Sequence, residues 1–123
     1  MSEPLFIYGT LHPDRAPAEI APTVALLKPL GPATLRGRLL NLGAYPGLLL
    51  PGPDEIRGEL FALPEDRELR HRTWAALDAY EDFRPNAPEH SLFTRVLTVV
   101  TLPGGSTRRA WVYIFNEMVS RPA

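Results

Sequence analysis

Residues 92–115 read LFTRVLTVVTLPGGSTRRAWVYIF, and this stretch decides the fold. Leu92 to Leu102 is dense in Val and Thr, side chains that fit a pleated, half-buried surface. Pro103-Gly104-Gly105-Ser106 interrupts the run with four turn-forming residues, and Arg109 to Phe115 returns as a second apolar and aromatic run. The pattern predicts an antiparallel hairpin.

Upstream lie three more strand signals. Pro4-Leu5-Phe6-Ile7-Tyr8 is apolar on both faces and halted by Gly9-Thr10, as a short buried strand is. Thr34 to Leu42 alternates, with Leu35, Gly37 and Leu39 on one side and Thr34, Arg36 and Arg38 on the other. Ile56 to Leu63 alternates again, and Gly43, Pro46 and Gly47 predict an irregular loop around Tyr45. From Pro17 to Leu30 the spacing of Ile20, Val24 and Leu27 is helix-compatible, broken by Pro22 and ended by Pro29 and Gly31-Pro32. Pro64 opens the one long helix, where Glu65, Asp66 and Glu68 complement the dipole. Leu69, Thr73, Ala76, Leu77 and Tyr80 trace its inward stripe, with Trp74 beside it. With strands outnumbering helices and the last pair antiparallel, the expectation is a single α+β domain over residues 1–123, its sheet closing into a small barrel.

Composition narrows the function. Thirteen basic and fourteen acidic residues leave a net charge of −1, so no overall field attracts nucleic acid or anionic lipid. The absence of cysteine excludes disulfides, thiolate metal sites and cysteine nucleophiles. The start, Met1-Ser2-Glu3-Pro4, lacks the basic stretch of a signal peptide, and no apolar run approaches a membrane span. A cytoplasmic protein is expected, with no membrane and no nucleic-acid partner. His12, His71 and His90 lack the spacing of a metal site, and no serine stands in a nucleophile elbow.

Carboxylates remain. Leu77-Asp78-Ala79-Tyr80-Glu81-Asp82-Phe83 sets three acids at the C-terminal end of the long helix. Negative charge there opposes the helix dipole, and mutual repulsion at spacings of three and four acts the same way, so both raise carboxyl pKa values. Such a carboxylate is a better proton acceptor at neutral pH. The competing reading, three solvated acids at a frayed helix end, is the one favoured by spacing alone. A second cluster is Tyr8-Gly9-Thr10-Leu11 at the exit of the first strand, where glycine permits a sharp turn and free N–H groups can hold an oxygen ligand. It reads equally as an ordinary strand-ending turn.

Together these clusters resemble the γ-glutamylcyclotransferase-like family, which includes the γ-glutamylamine cyclotransferases and the plant avirulence-induced-gene-2-like proteins. Five stretches carry the resemblance, in order: Phe6-Ile7-Tyr8-Gly9-Thr10-Leu11, Leu42-Gly43-Ala44-Tyr45-Pro46-Gly47, Arg57-Gly58-Glu59-Leu60-Phe61, Leu77-Asp78-Ala79-Tyr80-Glu81 and Ala110-Trp111-Val112-Tyr113. The resemblance implies a small mixed β-barrel flanked by a few short helices. It implies Glu81 as the catalytic acid/base and Tyr8, Gly9, Thr10 and Leu11 as the substrate-binding turn. Tyr45, Tyr113 and Arg95 are candidate cavity-lining residues, each also readable as structural. Two positions depart from many relatives: Asp82 replaces a glycine after the glutamate, and Phe93 replaces a tyrosine ahead of Arg95.

The implied reaction is cyclisation of a γ-glutamyl amide to 5-oxoproline and a free amine. It requires no metal and no cofactor. The expected partner is a small γ-glutamyl substrate, with the oligomeric state open. The alternatives are a non-catalytic binding module on the same fold, or an interaction module that pairs a partner strand with the edge at 108–115.

Overall fold

The structure is a computed structural model that describes residues 3–8, 16–42 and 46–116. Five strands form a closed barrel: β1 (Leu5–Ile7), β2 (Lys28–Asn41), β3 (Pro46–Ala62), β4 (Phe93–Thr101) and β5 (Thr107–Phe115), in the order β1-β3-β2-β4-β5. Neighbours run antiparallel except at the seam, where β5 meets β1 in parallel through Leu5 and Trp111. There the Trp111 N–H donates to the Pro4 carbonyl at 2.8 Å. The expected free edge at 108–115 is therefore corrected, because closure gives this strand a neighbour on each side at Trp111.

The hairpin forms as its sequence predicts. Phe93 pairs with Phe115, Arg95 with Tyr113 and Thr101 with Thr107. Gly104 and Gly105 turn the chain at φ +92° and +97°, a left-handed conformation that a side chain disfavours.

Two elements differ from expectation. β2 starts at Lys28 rather than Thr34, and the helix between 17 and 30 shrinks to α1 (Ala21–Val24). Pro29 and Pro32 cannot continue a helix, yet they are tolerated in a strand whose register slips between Pro29 and Gly31. β3 starts at Pro46 rather than Ile56. The register jumps from Gly37↔Asp54 to Arg38↔Leu49, so residues 50–53 bulge out of the ladder around Pro51 and Pro53. The side chain of Arg36 secures the bulge by donating to the Pro53 carbonyl at 2.8 Å.

Strand alternation yields two cores. Phe6, Ala33, Leu35, Leu48, Ile56, Leu60, Val100, Ala110 and Val112 come from strands only and fill the barrel. The opposite strand faces, with Leu5, Ile7, Phe61, Phe93, Tyr113 and Phe115, pack beneath Val24 of α1 and Leu77 of α2 (Arg67–Tyr80). Phe93 lies in this second core with its ring edge-on to Phe115 at 5.8 Å.

Candidate functional site

The site is built around the end of α2. The helix begins at Arg67 rather than Pro64, because Asp66 caps it by accepting the Leu69 N–H at 2.8 Å. Its inward face carries Thr73, Leu77 and Asp78. Glu81 is the C-terminal cap, with its N–H donating to the Leu77 carbonyl at 3.0 Å. The helix then closes in a Schellman motif: Phe83 N–H donates to the Asp78 carbonyl at 2.8 Å and Asp82 N–H to the Ala79 carbonyl at 3.2 Å. That motif needs a left-handed residue after the cap, and Asp82 supplies it at φ +55°. Aspartate is among the few residues besides glycine that tolerate the conformation.

The return segment holds this end in place. Leu92 N–H donates to the Asp82 carbonyl at 3.1 Å, and the buried Ser91 hydroxyl accepts the Arg84 N–H at 2.7 Å.

The three acids of the helix end thus part company. Asp82 is exposed and lies 3.7 Å from Arg84, an exposed pair of little energetic weight. Asp78 is buried and fully engaged: it accepts from Arg95 Nε at 2.9 Å, Arg95 Nη2 at 3.2 Å and the Tyr113 hydroxyl at 2.6 Å. Glu81 is half-buried, and that burial raises its carboxyl from 4.5 to about 7. The sequence argument attributed such a rise to the helix dipole and to repulsion within the cluster. The first cause is instead desolvation by burial.

Arg95 is sandwiched. Its guanidinium carbon stands 4.0 Å from the ring centroid of Trp74 and 4.8 Å from that of Trp111, and the two indoles meet edge to face at 6.2 Å. Arg95 and Tyr113 both bind Asp78, and Arg95 also borders a groove of ≈ 680 Å³ with Trp74 and Phe83.

Tyr8 completes the cluster from the exit of β1. Its hydroxyl donates to the main-chain carbonyl of Tyr113 at 2.8 Å, and its ring stacks on Phe6. The phenol is held well above its ordinary range by burial first and the charge of Glu81 second, against a hydrogen bond with the Leu48 backbone. Tyr113 is raised likewise by burial, then by the charge and hydrogen bond of Asp78, with Glu81 adding to the rise and Arg95 opposing it. Glu81 therefore stands within electrostatic reach of both phenols. Gly9, Thr10, Leu11 and Tyr45 lie outside the described residues.

Chemically, a carboxyl that titrates near neutrality can accept a proton and return it within one cycle. The Asp78–Arg95–Tyr113 network was missed from the sequence, although one signal was available. A turn at 103–106 fixes a register in which 95 faces 113.

Among solved structures, YkqA from Bacillus subtilis is similar at TM-score 0.67 and 21% identity over 94% of this chain, which spans 36% of that protein. PH0828 from Pyrococcus horikoshii matches at TM-score 0.58 and 16% identity, over 99% of this chain and 82% of that one. A gamma-glutamyl cyclotransferase matches at TM-score 0.65 and 14% identity, over 94% and 68% respectively. These likenesses show a shared fold. No curated protein matches in sequence. No helix among the described residues is long and apolar enough to cross a membrane. Residues 5–123 fit the sequence pattern of the family described as gamma-glutamyl cyclotransferase, AIG2-like. The small mixed barrel with its flanking helices is the fold that resemblance implied, and the chain belongs to that family.

Proposed function

We propose that the protein is a γ-glutamyl cyclotransferase that releases 5-oxoproline and a free amine from γ-glutamyl amines or related γ-glutamyl metabolites, with Glu81 as general acid/base. The observation that carries this reading is the half-buried carboxyl of Glu81 at the C-terminal cap of α2, where burial raises it to about 7 and its charge reaches Tyr8 and Tyr113.

The reaction follows from that carboxyl. The substrate's α-ammonium, with a reference pKa of ~8, gives a proton to the Glu81 carboxylate and becomes nucleophilic. Its nitrogen attacks the γ-carbonyl carbon, forming the ring C–N bond. The bond to the leaving nitrogen then breaks as Glu81 returns its proton there. The ring nitrogen sheds a second proton to the same atom, which departs as an ammonium, so protons and charge balance. The stretch Tyr8, Gly9, Thr10 and Leu11 takes the glutamyl portion, and holding amine and carbonyl in contact removes much of the entropic barrier. Tyr8 itself is held by its bond to the Tyr113 carbonyl.

The test is 5-oxoproline release from a panel of γ-glutamyl amides by wild type and Glu81→Gln. Release by the wild type and a loss of at least ~100-fold in the variant are expected for removal of a general base. Equal release by both proteins would remove Glu81 from the chemistry. Saturable binding of panel members without release would identify a binding module.

A further inference from the structure

One conspicuous buried group has no task in that reaction: Asp78, three residues before Glu81 on the same helix. Its side chain reaches β4 through Arg95 and β5 through Tyr113, and the main-chain carbonyl of Tyr113 in turn receives the Tyr8 hydroxyl. Its own main-chain carbonyl closes the turn that carries Glu81. A single carboxylate thus links the last turn of α2, the hairpin and the exit of β1.

Packing alone does not account for it. A buried ion pair adds little net stability over an apolar replacement of similar volume. Carboxylate and guanidinium stand 2.9 Å apart, so each compensates the other's charge. Among the described residues, the titratable groups nearest Glu81 in this network are Tyr8 at the exit of β1, Tyr113 on β5, Arg95 on β4 through its bond to Asp78, and Asp78 and Asp82 on its own helix end. Asp82 is exposed, whereas Asp78 and Arg95 form a largely buried pair among the described residues.

We propose that Asp78 is a positioning residue for Glu81: clamped by Arg95 and Tyr113, it fixes the last turn of α2 against the hairpin and cancels the guanidinium charge beside the proton carrier. This rests on the reading of Glu81 as that carrier, so two readouts keep the failures apart. The first is a ¹³C NMR titration of the Glu81 carboxyl, assigned by its absence in Glu81→Gln, which needs no turnover. The second is kcat and KM for 5-oxoproline release.

In Asp78→Asn the guanidinium loses its counter-charge, and Glu81 titrates about one pH unit lower, a tenfold weaker hold on its proton. In Arg95→Gln the titration does not fall. In the double variant both charges are gone and the titration returns to its wild-type position. There kcat stays at least ~10-fold down, with KM little changed, because the clamp is missing and small displacements of a catalytic group are costly. An unmoved titration in Asp78→Asn, or a fall in both single variants, would overturn the proposal. Should Asp78→Asn not fold, Tyr113→Phe decides. It removes one hydrogen bond and leaves both charges, so an unmoved titration with kcat several-fold lower is expected, and wild-type kcat refutes the clamp. If wild type releases no 5-oxoproline, the cyclotransferase reading fails while the titrations still decide the charge-cancelling role of Asp78.

Discussion

Replacing Glu81 by glutamine should make the protein more stable, by an amount that grows with pH. The folded carboxyl titrates near 7 against an ordinary value of 4.5, so folding favours its protonated form. A gap of about 2.5 corresponds to about 3 kcal/mol at 1.36 kcal/mol per pH unit. The sign follows from proton linkage. Below pH 4.5 the carboxyl is protonated in both states and the penalty vanishes. Between 4.5 and 7 the unfolded chain ionises while the folded one resists, and the wild type loses stability steadily. Above 7 both forms are ionised and the full penalty stands. Glutamine is neutral throughout, and every other titrating group cancels between the two proteins. Urea denaturation of both at pH 5, 6, 7 and 8 measures the difference directly. The advantage of the variant should widen by about 2.5 kcal/mol from pH 5 to pH 8. A difference constant to within about 0.5 kcal/mol would show that the carboxyl is solvated, and the proposed acid/base role would lose its physical basis.

Three further outcomes are expected. The pH profile of kcat/KM should rise through about 7 as Glu81 ionises and fall above ~8 as the substrate ammonium is lost; an acid limb near ~4.3 would exclude Glu81 as the titrating group. Asp82→Gly should raise stability by about 0.5–1 kcal/mol, because φ +55° suits glycine and the exposed pair with Arg84 is worth little; an unchanged or lower melting temperature refutes this. Gly58→Ala should cost more than about 2 kcal/mol in urea melts, since its Cβ would stand 2.5 Å from the Ile7 carbonyl oxygen and 2.6 Å from Phe6 Cζ. That carbonyl sits in the β1–β3 ladder, and a tolerated substitution would mean the ladder is looser than it is drawn.

Much of the architecture was legible because strand and helix periodicities are local. The hairpin could be read from its own Val, Thr and turn residues, and the long helix from its apolar spacing. Misreadings fell where distant partners overrode local signals. Pro51 and Pro53 argue against a strand, yet β2 carries β3 straight past them by letting four residues bulge. Pro29 likewise ends a helix on paper but pairs with Phe61. At the candidate site, the acidic run marked the right segment and gave the wrong cause. Spacing shows that Asp78, Glu81 and Asp82 are near one another, not which of them water reaches.

The sequence by itself determined that the chain makes a small α+β barrel, and its ordered motifs pointed to the family and to Glu81 as the carboxylate to watch. Only the tertiary structure decided what kind of carboxylate that is. Asp78 is neutralised by an arginine seventeen residues away, Asp82 is left to solvent, and Glu81 is raised to about 7 by burial. Charge spacing along a helix is written locally, whereas desolvation depends on every element packed against the group, and those contacts exist only once the barrel has closed.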